Sequence, residues 1–170
     1  YIAVTVLLYE LFAPTDRTLS RIAAGFSFTG IAVLAANGLL HLMPLALLDG
    51  APHRGIGMAE TQSLVQLSLR LHGQVYGLSL LFFGAYCALL GWLAIRSDRL
   101  PRWLGALLIA GGASHIILSI TRLLAPDVAS AMPSQLGMIP LIAELALALW
   151  LLAFGARRRI TNPDQLATVH

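Results

Sequence analysis

The sequence contains no lysine and only one cysteine, and only 11% of its 170 residues are charged. A soluble domain normally has about 25% charged residues, so this composition excludes an ordinary water-soluble domain. The single cysteine, Cys87, excludes an intrachain disulfide and any cysteine-based metal cluster. Hydrophobic residues instead make up 58% of the chain and occur in long runs. Such runs predict membrane-spanning helices, because a spanning strand would alternate apolar and polar residues.

All of the 11 basic residues are arginines, and most of them lie at the ends of the apolar runs. In a soluble domain, a pI near 9.6 would suggest nucleic-acid binding. In a membrane protein, the positive-inside rule accounts for the same arginines. The sequence therefore predicts membrane lipids as partners and no nucleic acid.

Prolines, glycines and polar clusters divide the chain into one partial and four complete apolar segments. The first segment, residues 1–12, would rise about 18 Å as a helix, which is less than the roughly 30 Å hydrocarbon core. We interpret it as the second half of a spanning helix whose beginning precedes Tyr1. The complete segments are predicted at 18–48, 58–95, 102–124 and 135–155, and a polar cytoplasmic tail at 160–170. The expected fold is all-α, a polytopic transmembrane bundle over residues 1–159.

The distribution of arginines predicts the orientation of this bundle. The first and third connections and the C-terminal tail together hold eight arginines, whereas the other two connections and their flanks hold three. Since cytoplasmic loops are enriched in arginine, these two connections and the C terminus are expected in the cytoplasm.

Glycines recur every seven residues along the third segment, at Gly77, Gly84 and Gly91, with Gly73 four residues earlier. Small residues at this spacing form a smooth face that another helix can approach closely. Gln74 borders this face, so it is interpreted as an interhelical hydrogen-bonding residue. Packing within one bundle is the favoured interpretation, and homodimerisation is the alternative.

Polar and ionisable side chains interrupt the apolar segments, where their burial is costly and a functional role is the default hypothesis. Several of them are spaced i, i+4 and i+7, which places them on one face of a helix. The candidate ligand-binding residues are Asn37, His41, His72, Tyr76, Ser79, His115, Ser119, Arg122 and Glu144. Most are expected in the outer half of the membrane. A water-lined pocket and a buried polar network of structural importance both remain open.

Three kinds of site can use such residues. Two of the histidines His41, His72 and His115 could ligate haem, or they could hold a metal with Glu144 as a ligand or base. No histidine pair has the close spacing of a zinc motif, and no catalytic motif is present. The third possibility is a site for a small polar solute. A structural or accessory role in a larger membrane assembly is the favoured interpretation of the sequence, and a membrane protein that binds a small molecule, haem or a metal through the polar cluster is the alternative.

At several places along its length, the chain resembles a bacterial family of multi-pass membrane proteins, domain-of-unknown-function family 4386. The matching residues include Leu8–Phe12, Arg17–Leu19, Leu71-His72, Phe82–Gly91, Leu100–Arg102, Glu144-Leu145 and Leu149–Leu152. The resemblance implies a helical bundle in the bacterial cytoplasmic membrane, with further spanning sequence before Tyr1. It also implies that Glu10, His72 and Glu144 occupy recurring positions, whereas His115 replaces an aromatic residue. It implies no activity.

Overall fold

The computed structural model describes residues 1–50, 55 and 57–155, and every regular element within them is helical. The helices are α1 (Ile2–Phe12), α2 (Arg17–Gly50), α3 (Met58–Arg96), α4 (Arg102–Leu124), α5 (Pro126–Ala131) and α6 (Met138–Trp150). A 3-10 turn, Ser134–Gly137, leads into α6, and Leu151–Gly155 continues α6 as a π-helical turn. The polar tail predicted at 160–170 lies outside the described residues.

Four helical stretches are long and apolar enough to cross a membrane: Arg17–Asp49, Met58–Arg96, Arg102–Leu124 and Gln135–Gly155. The N-terminal helix α1 is apolar but shorter. This confirms the predicted fold class, an all-α bundle with four helices long enough to span a membrane and a shorter apolar helix at the N-terminal end.

The distribution of side chains suits a lipid environment. Leucines along the outside are strongly exposed, as at Leu39 (72%) and Leu152 (79%). Small hydroxyl side chains are buried instead, including Ser27, Ser68 and Ser114. Lipid tails solvate apolar side chains as well as a protein core does, so helix contacts in membranes favour small and hydrogen-bonding residues.

The arginine-rich ends of the helices are held together by polar contacts and by the apolar core. The carboxylate of Asp16 accepts a hydrogen bond of 2.9 Å from the backbone N–H of Leu19, which caps α2. Asp16 also lies 3.8 Å from Arg96, so the first and third connections are adjacent. The buried apolar core begins directly behind them, around Phe12 and Leu93.

Helix α3 lies between α2 and α4, and α4 also packs against α6. Two glycine pairs allow α3 and α4 to approach closely. A Cβ atom on Gly84 would lie 2.7 Å from the carbonyl oxygen of Gly112, and one on Gly91 would lie 2.5 Å from that of Gly105. Side chains cannot occupy such distances, so this contact requires glycine.

A proline in α2 and a serine in α3 form one interhelical contact. Proline has no backbone N–H, so Pro44 in α2 leaves the carbonyl of Leu40 without its usual i+4 donor. The hydroxyl of Ser68 in α3 donates a 2.5 Å hydrogen bond to that same carbonyl. This bond replaces a lost helical bond and links two helices.

A second serine hydroxyl joins α4 to the start of the last spanning segment. The hydroxyl of Ser114 in α4 donates a 2.5 Å hydrogen bond to the carbonyl of Leu136, in the 3-10 turn before α6. Pro140 lies in the first turn of α6, where a backbone N–H has no partner within the helix. The hydroxyl of Ser114 therefore links two elements without replacing a lost helical bond.

Candidate functional site

A cavity of about 250 Å³ lies between α2, α3, α4 and α6, beside Tyr1, the residue that precedes α1. We call it the central cavity. Its lining comprises Tyr1, Ser27, Gly30, Ile31, Leu34, Tyr76, Ser79, Leu80, Phe83, His115 and Glu144. The central cavity thus brings together four of the residues predicted from the sequence, which are Tyr76, Ser79, His115 and Glu144.

An acid–base pair lies in the wall of the central cavity. Nε2 of His115, on α4, is 3.5 Å from Oε1 of Glu144, on α6. The side chain of His115 is only 15% exposed, whereas that of Glu144 is 43% exposed. A protonated imidazole at this distance neutralises the carboxylate, and the same pair with one proton fewer carries a net negative charge.

Aromatic rings form much of the remaining wall. The ring of Phe83 lies 5.6 Å from that of Tyr1 and 5.6 Å from that of His115, measured between centroids. Tyr76 contributes a further ring. The ionisable pair therefore faces a mainly apolar space, where a charge is solvated poorly and a complementary partner is favoured.

The cavity lies near the middle of the membrane-spanning region. His115 follows the start of α4 by 13 residues, and Glu144 precedes the end of the last spanning segment by 11. At 1.5 Å per residue, the two side chains are about 20 Å and 17 Å from the arginine-rich end, within a hydrocarbon core of roughly 30 Å. Ionisable side chains at this depth are rare, and they mark substrate, ion or proton sites.

Asn37, His41 and His72 form a separate cluster between α2 and α3. The side-chain amide of Asn37 donates a 3.1 Å hydrogen bond to the backbone carbonyl of His72. The rings of His41 and His72 are 4.7 Å apart. The amide oxygen of Asn37 is buried without a hydrogen-bond partner. This cluster joins two helices, and none of its three residues lines the central cavity.

Ser119 and Arg122 lie in a third location, a groove between α3 and α4. They line it together with Arg70, Gln74 and the two glycines Gly73 and Gly77. A Cβ atom on Gly73 or Gly77 would have no neighbour within 4 Å. The predicted glycine face therefore has two parts with different surroundings. Gly84 and Gly91 contact α4, whereas Gly73 and Gly77 border open space.

The described residues contain no group of three His, Cys, Asp or Glu side chains placed to hold a metal ion. The three histidines within the described ranges, His41, His72 and His115, are divided between two locations. The rings of His41 and His72 contact each other, and His115 pairs with Glu144 on the cavity wall. The geometry thus offers a hydrogen-bonding and ionisable site rather than three convergent histidine ligands.

Sequence reasoning did not select Tyr1, Ser27 or Gly30 as cavity residues. Ser27 is buried, and its hydroxyl lies 2.7 Å from that of Thr5 in α1. A serine in an apolar helix is too common to identify a site. The spacing of Ser20 and Ser27, which are both buried and seven residues apart, was the available signal for this face of α2.

Comparison with known families places this arrangement among related proteins. A family model described as "Domain of unknown function (DUF4386)" matches residues 1–155. The chain belongs to the DUF4386 family. The resemblance seen in the sequence is therefore confirmed, and the central cavity lies wholly within the DUF4386 match.

A relative with a similar sequence occurs in an archaeon. An uncharacterized protein of Archaeoglobus fulgidus is 31% identical over 83 residues, which are 49% of this chain and 48% of that protein. The match thus spans about half the length of that relative. No solved structure matches the chain, so its likeness to known proteins rests on the DUF4386 family and this relative.

Proposed function

We propose that this DUF4386 protein binds a small organic amine or cation in the central cavity. The observation that carries the proposal is the pairing of His115 with Glu144 in the wall of an aromatic, mainly apolar cavity within the membrane-spanning region. The family model and the archaeal relative name no activity, so the proposal depends on the cavity itself.

The chemistry of the cavity favours a positively charged group. The carboxylate of Glu144 is the more exposed member of the pair, and it lines the cavity. Aromatic faces attract cations, and such an attraction contributes up to about 2 kcal/mol where water is excluded. The rings of Tyr1, Tyr76 and Phe83 supply such faces. A ligand ammonium group can therefore replace His115 as the partner of the carboxylate.

A ligand cation beside Glu144 also balances the charge of the carboxylate. This pairing avoids the high cost of an uncompensated charge within a membrane. Such a pairing suits a protein that binds an amine reversibly.

The size of the cavity limits the ligand to a small molecule. Its volume of about 250 Å³ is just below the 300–1,000 Å³ range of drug-sized ligand sites. Benzylamine is therefore a suitable probe, because it has one amine and one ring. Benzyl alcohol is a matched neutral compound with nearly the same shape.

We expect benzylamine to raise the midpoint of thermal unfolding of the detergent-solubilised protein, and benzyl alcohol to leave it unchanged. Binding only to the folded state at about one hundred times Kd stabilises by about 2.7 kcal/mol. Glu144→Gln should abolish this effect. Glu10→Gln, at the exposed arginine-rich end of α1, should preserve it. Equal stabilisation of the wild type and Glu144→Gln by both compounds would disprove the proposal.

A structural or accessory role in a larger assembly is the second candidate. Its support is the face of α2, on which Ala35 is exposed and a Cβ atom on Gly38 would have no neighbour within 4 Å. Small uncovered residues suit docking of another helix. Native mass spectrometry after gentle extraction distinguishes the two roles, since extra subunits at fixed stoichiometry support the accessory role and a lone chain with a small added mass supports ligand binding.

We also propose a location and orientation, which rest on arginine distribution and family resemblance. The protein resides in the bacterial cytoplasmic membrane with the α1–α2 and α3–α4 connections in the cytoplasm. Arg17, Arg21, Arg96, Arg99 and Arg102 support this orientation. The C terminus lies on the same side by the alternation of spanning helices.

A further inference from the structure

We propose that the groove between α3 and α4 binds an anionic phospholipid. We call it the arginine groove. Its volume is about 360 Å³, and its lining comprises Arg70, Gly73, Gln74, Gly77, Leu78, Leu81, Ser119, Ile120, Arg122, Leu123 and Pro126. It is separate from the central cavity, with which it shares no lining residue.

Two arginines at one end of the groove supply a site for a phosphate. Arg70 and Arg122 come from different helices and line the same space. Among the described residues, no acidic side chain lies within ion-pair distance of either guanidinium. The side chains of Gln74 and Ser119 add hydrogen-bond donors beside them. Arginine binds phosphate through two parallel N–H bonds, so this end is complementary to a lipid headgroup.

The depth of the arginines matches that of lipid phosphates. Arg70 precedes the end of α3 by 26 residues, and Arg122 follows the start of α4 by 20. These separations correspond to about 39 Å and 30 Å along the helices. Arg122 therefore lies at the border of a roughly 30 Å core, opposite the arginine-rich connections, and Arg70 lies about 9 Å further out, at the depth of the headgroups. The apolar groove beside the arginines is complementary to a lipid tail, whereas a free phosphate ion would leave it unfilled.

The remainder of the groove is shaped for an acyl chain. Gly73 and Gly77 leave its floor free of side chains, and Leu78, Leu81 and Ile120 form apolar walls. From Arg70 to Leu81 the groove extends about 16 Å along α3, towards the membrane interior. A lipid tail fills such a channel without requiring hydrogen bonds. The headgroup and tail regions are thus contiguous, as in a phospholipid.

The test uses the protein in nanodiscs of equal parts phosphatidylglycerol and phosphatidylcholine, followed by native mass spectrometry of retained lipid. We expect the wild type to retain phosphatidylglycerol preferentially. Arg70→Gln with Arg122→Gln removes both charge-assisted phosphate contacts of the groove, so it should lower this preference at least about tenfold. Arg99→Gln with Arg102→Gln removes the same charge at the other end and should preserve it.

Filling the groove provides a second variant that keeps both arginines. Gly77→Leu should also release the lipid, and its Cβ atom meets no neighbour within 4 Å. Gly25→Leu is the matched control on α2, because its Cβ is equally unobstructed and it lines neither the central cavity nor the arginine groove. Equal retention of phosphatidylglycerol by the wild type and both groove variants would overturn the proposal. So would a protein subunit or second copy that is lost with Gly77→Leu, since the groove would then be a protein interface.

Discussion

Glycine sets the distance between α3 and α4. The two pairs, Gly84 with Gly112 and Gly91 with Gly105, bring the two backbones together at points seven residues apart on each helix. The heptad spacing on α3 could be recognised in the sequence. The sequence does not reveal which of the four glycines on α3 contact α4. All four have the same local chemistry, and only the position at which α4 crosses α3 distinguishes them.

We expect Gly91→Ala to destabilise the protein by about 1–3 kcal/mol, because the new methyl group would overlap the backbone of α4. Its Cβ would lie 2.5 Å from the carbonyl oxygen of Gly105 and 2.8 Å from the backbone nitrogen of Ile109. Unfolding in detergent with increasing denaturant measures the change.

The matched control for this substitution is Gly73→Ala on the same helix. A Cβ at Gly73 has no neighbour within 4 Å, and alanine favours the helical backbone. Gly73→Ala should therefore be neutral or stabilising. Comparable destabilisation by both variants would show that the close α3–α4 contact is not what requires glycine.

At the scale of helices, the effects of Ser68 and Pro44 on the free energy of unfolding should depend on each other. Ser68→Ala leaves the carbonyl of Leu40 without a donor, and an unsatisfied buried acceptor costs about 1–3 kcal/mol. Pro44→Ala restores a backbone N–H for that carbonyl. Ser68→Ala should thus be costly in the wild type and nearly neutral in the Pro44→Ala background, as measured by a double-mutant cycle of unfolding free energies.

Ser63→Ala is the control for that cycle. Ser63 is exposed on α3, and its hydroxyl bonds to the carbonyl of Ala59 within the same helix. Its removal should have little effect in either background. Strictly additive effects of Ser68→Ala and Pro44→Ala would contradict the proposed compensation.

Helices were predictable because apolar runs and their breakers are local features, whereas the site was only partly predictable. Spacing alone placed His115, Ser119 and Arg122 on one face of α4. The structure assigns His115 to the central cavity and the other two to the arginine groove. A face that is continuous along one helix meets different neighbours at different depths, and a single sequence does not specify those neighbours.

At the scale of the whole molecule, the single cysteine makes the orientation measurable. Cys87 is only 5% exposed, so it should react poorly with a membrane-impermeant maleimide. With the arginine-rich connections in the cytoplasm, Gln62→Cys should be labelled in intact cells. Thr18→Cys should be labelled only after permeabilisation. Both positions are exposed in the structure. The reverse labelling pattern would contradict the proposed orientation. Labelling of the wild-type protein would show that Cys87 itself reacts, so that the introduced cysteines could not be distinguished from it.

The fold class was predictable at this scale because it follows from composition. A chain with 58% hydrophobic and 11% charged residues satisfies its backbone hydrogen bonds within helices when lipid surrounds it. The central cavity was not predictable, because five separate parts of the chain contribute to it. Tyr1 and Ser27, for example, carry no local signal that relates them to His115 or Glu144.

The contact between Pro44 and Ser68 also constrains how the sequence can change over time. Pro44 leaves the carbonyl of Leu40 without a backbone donor, and the hydroxyl of Ser68 on another helix donates a hydrogen bond to that carbonyl. A lineage that loses the serine first passes through a chain with an unsatisfied carbonyl, whereas one that loses the proline first does not. The order of substitution is therefore biased, because Ser68 can be replaced without leaving an unsatisfied carbonyl only after Pro44 has been replaced.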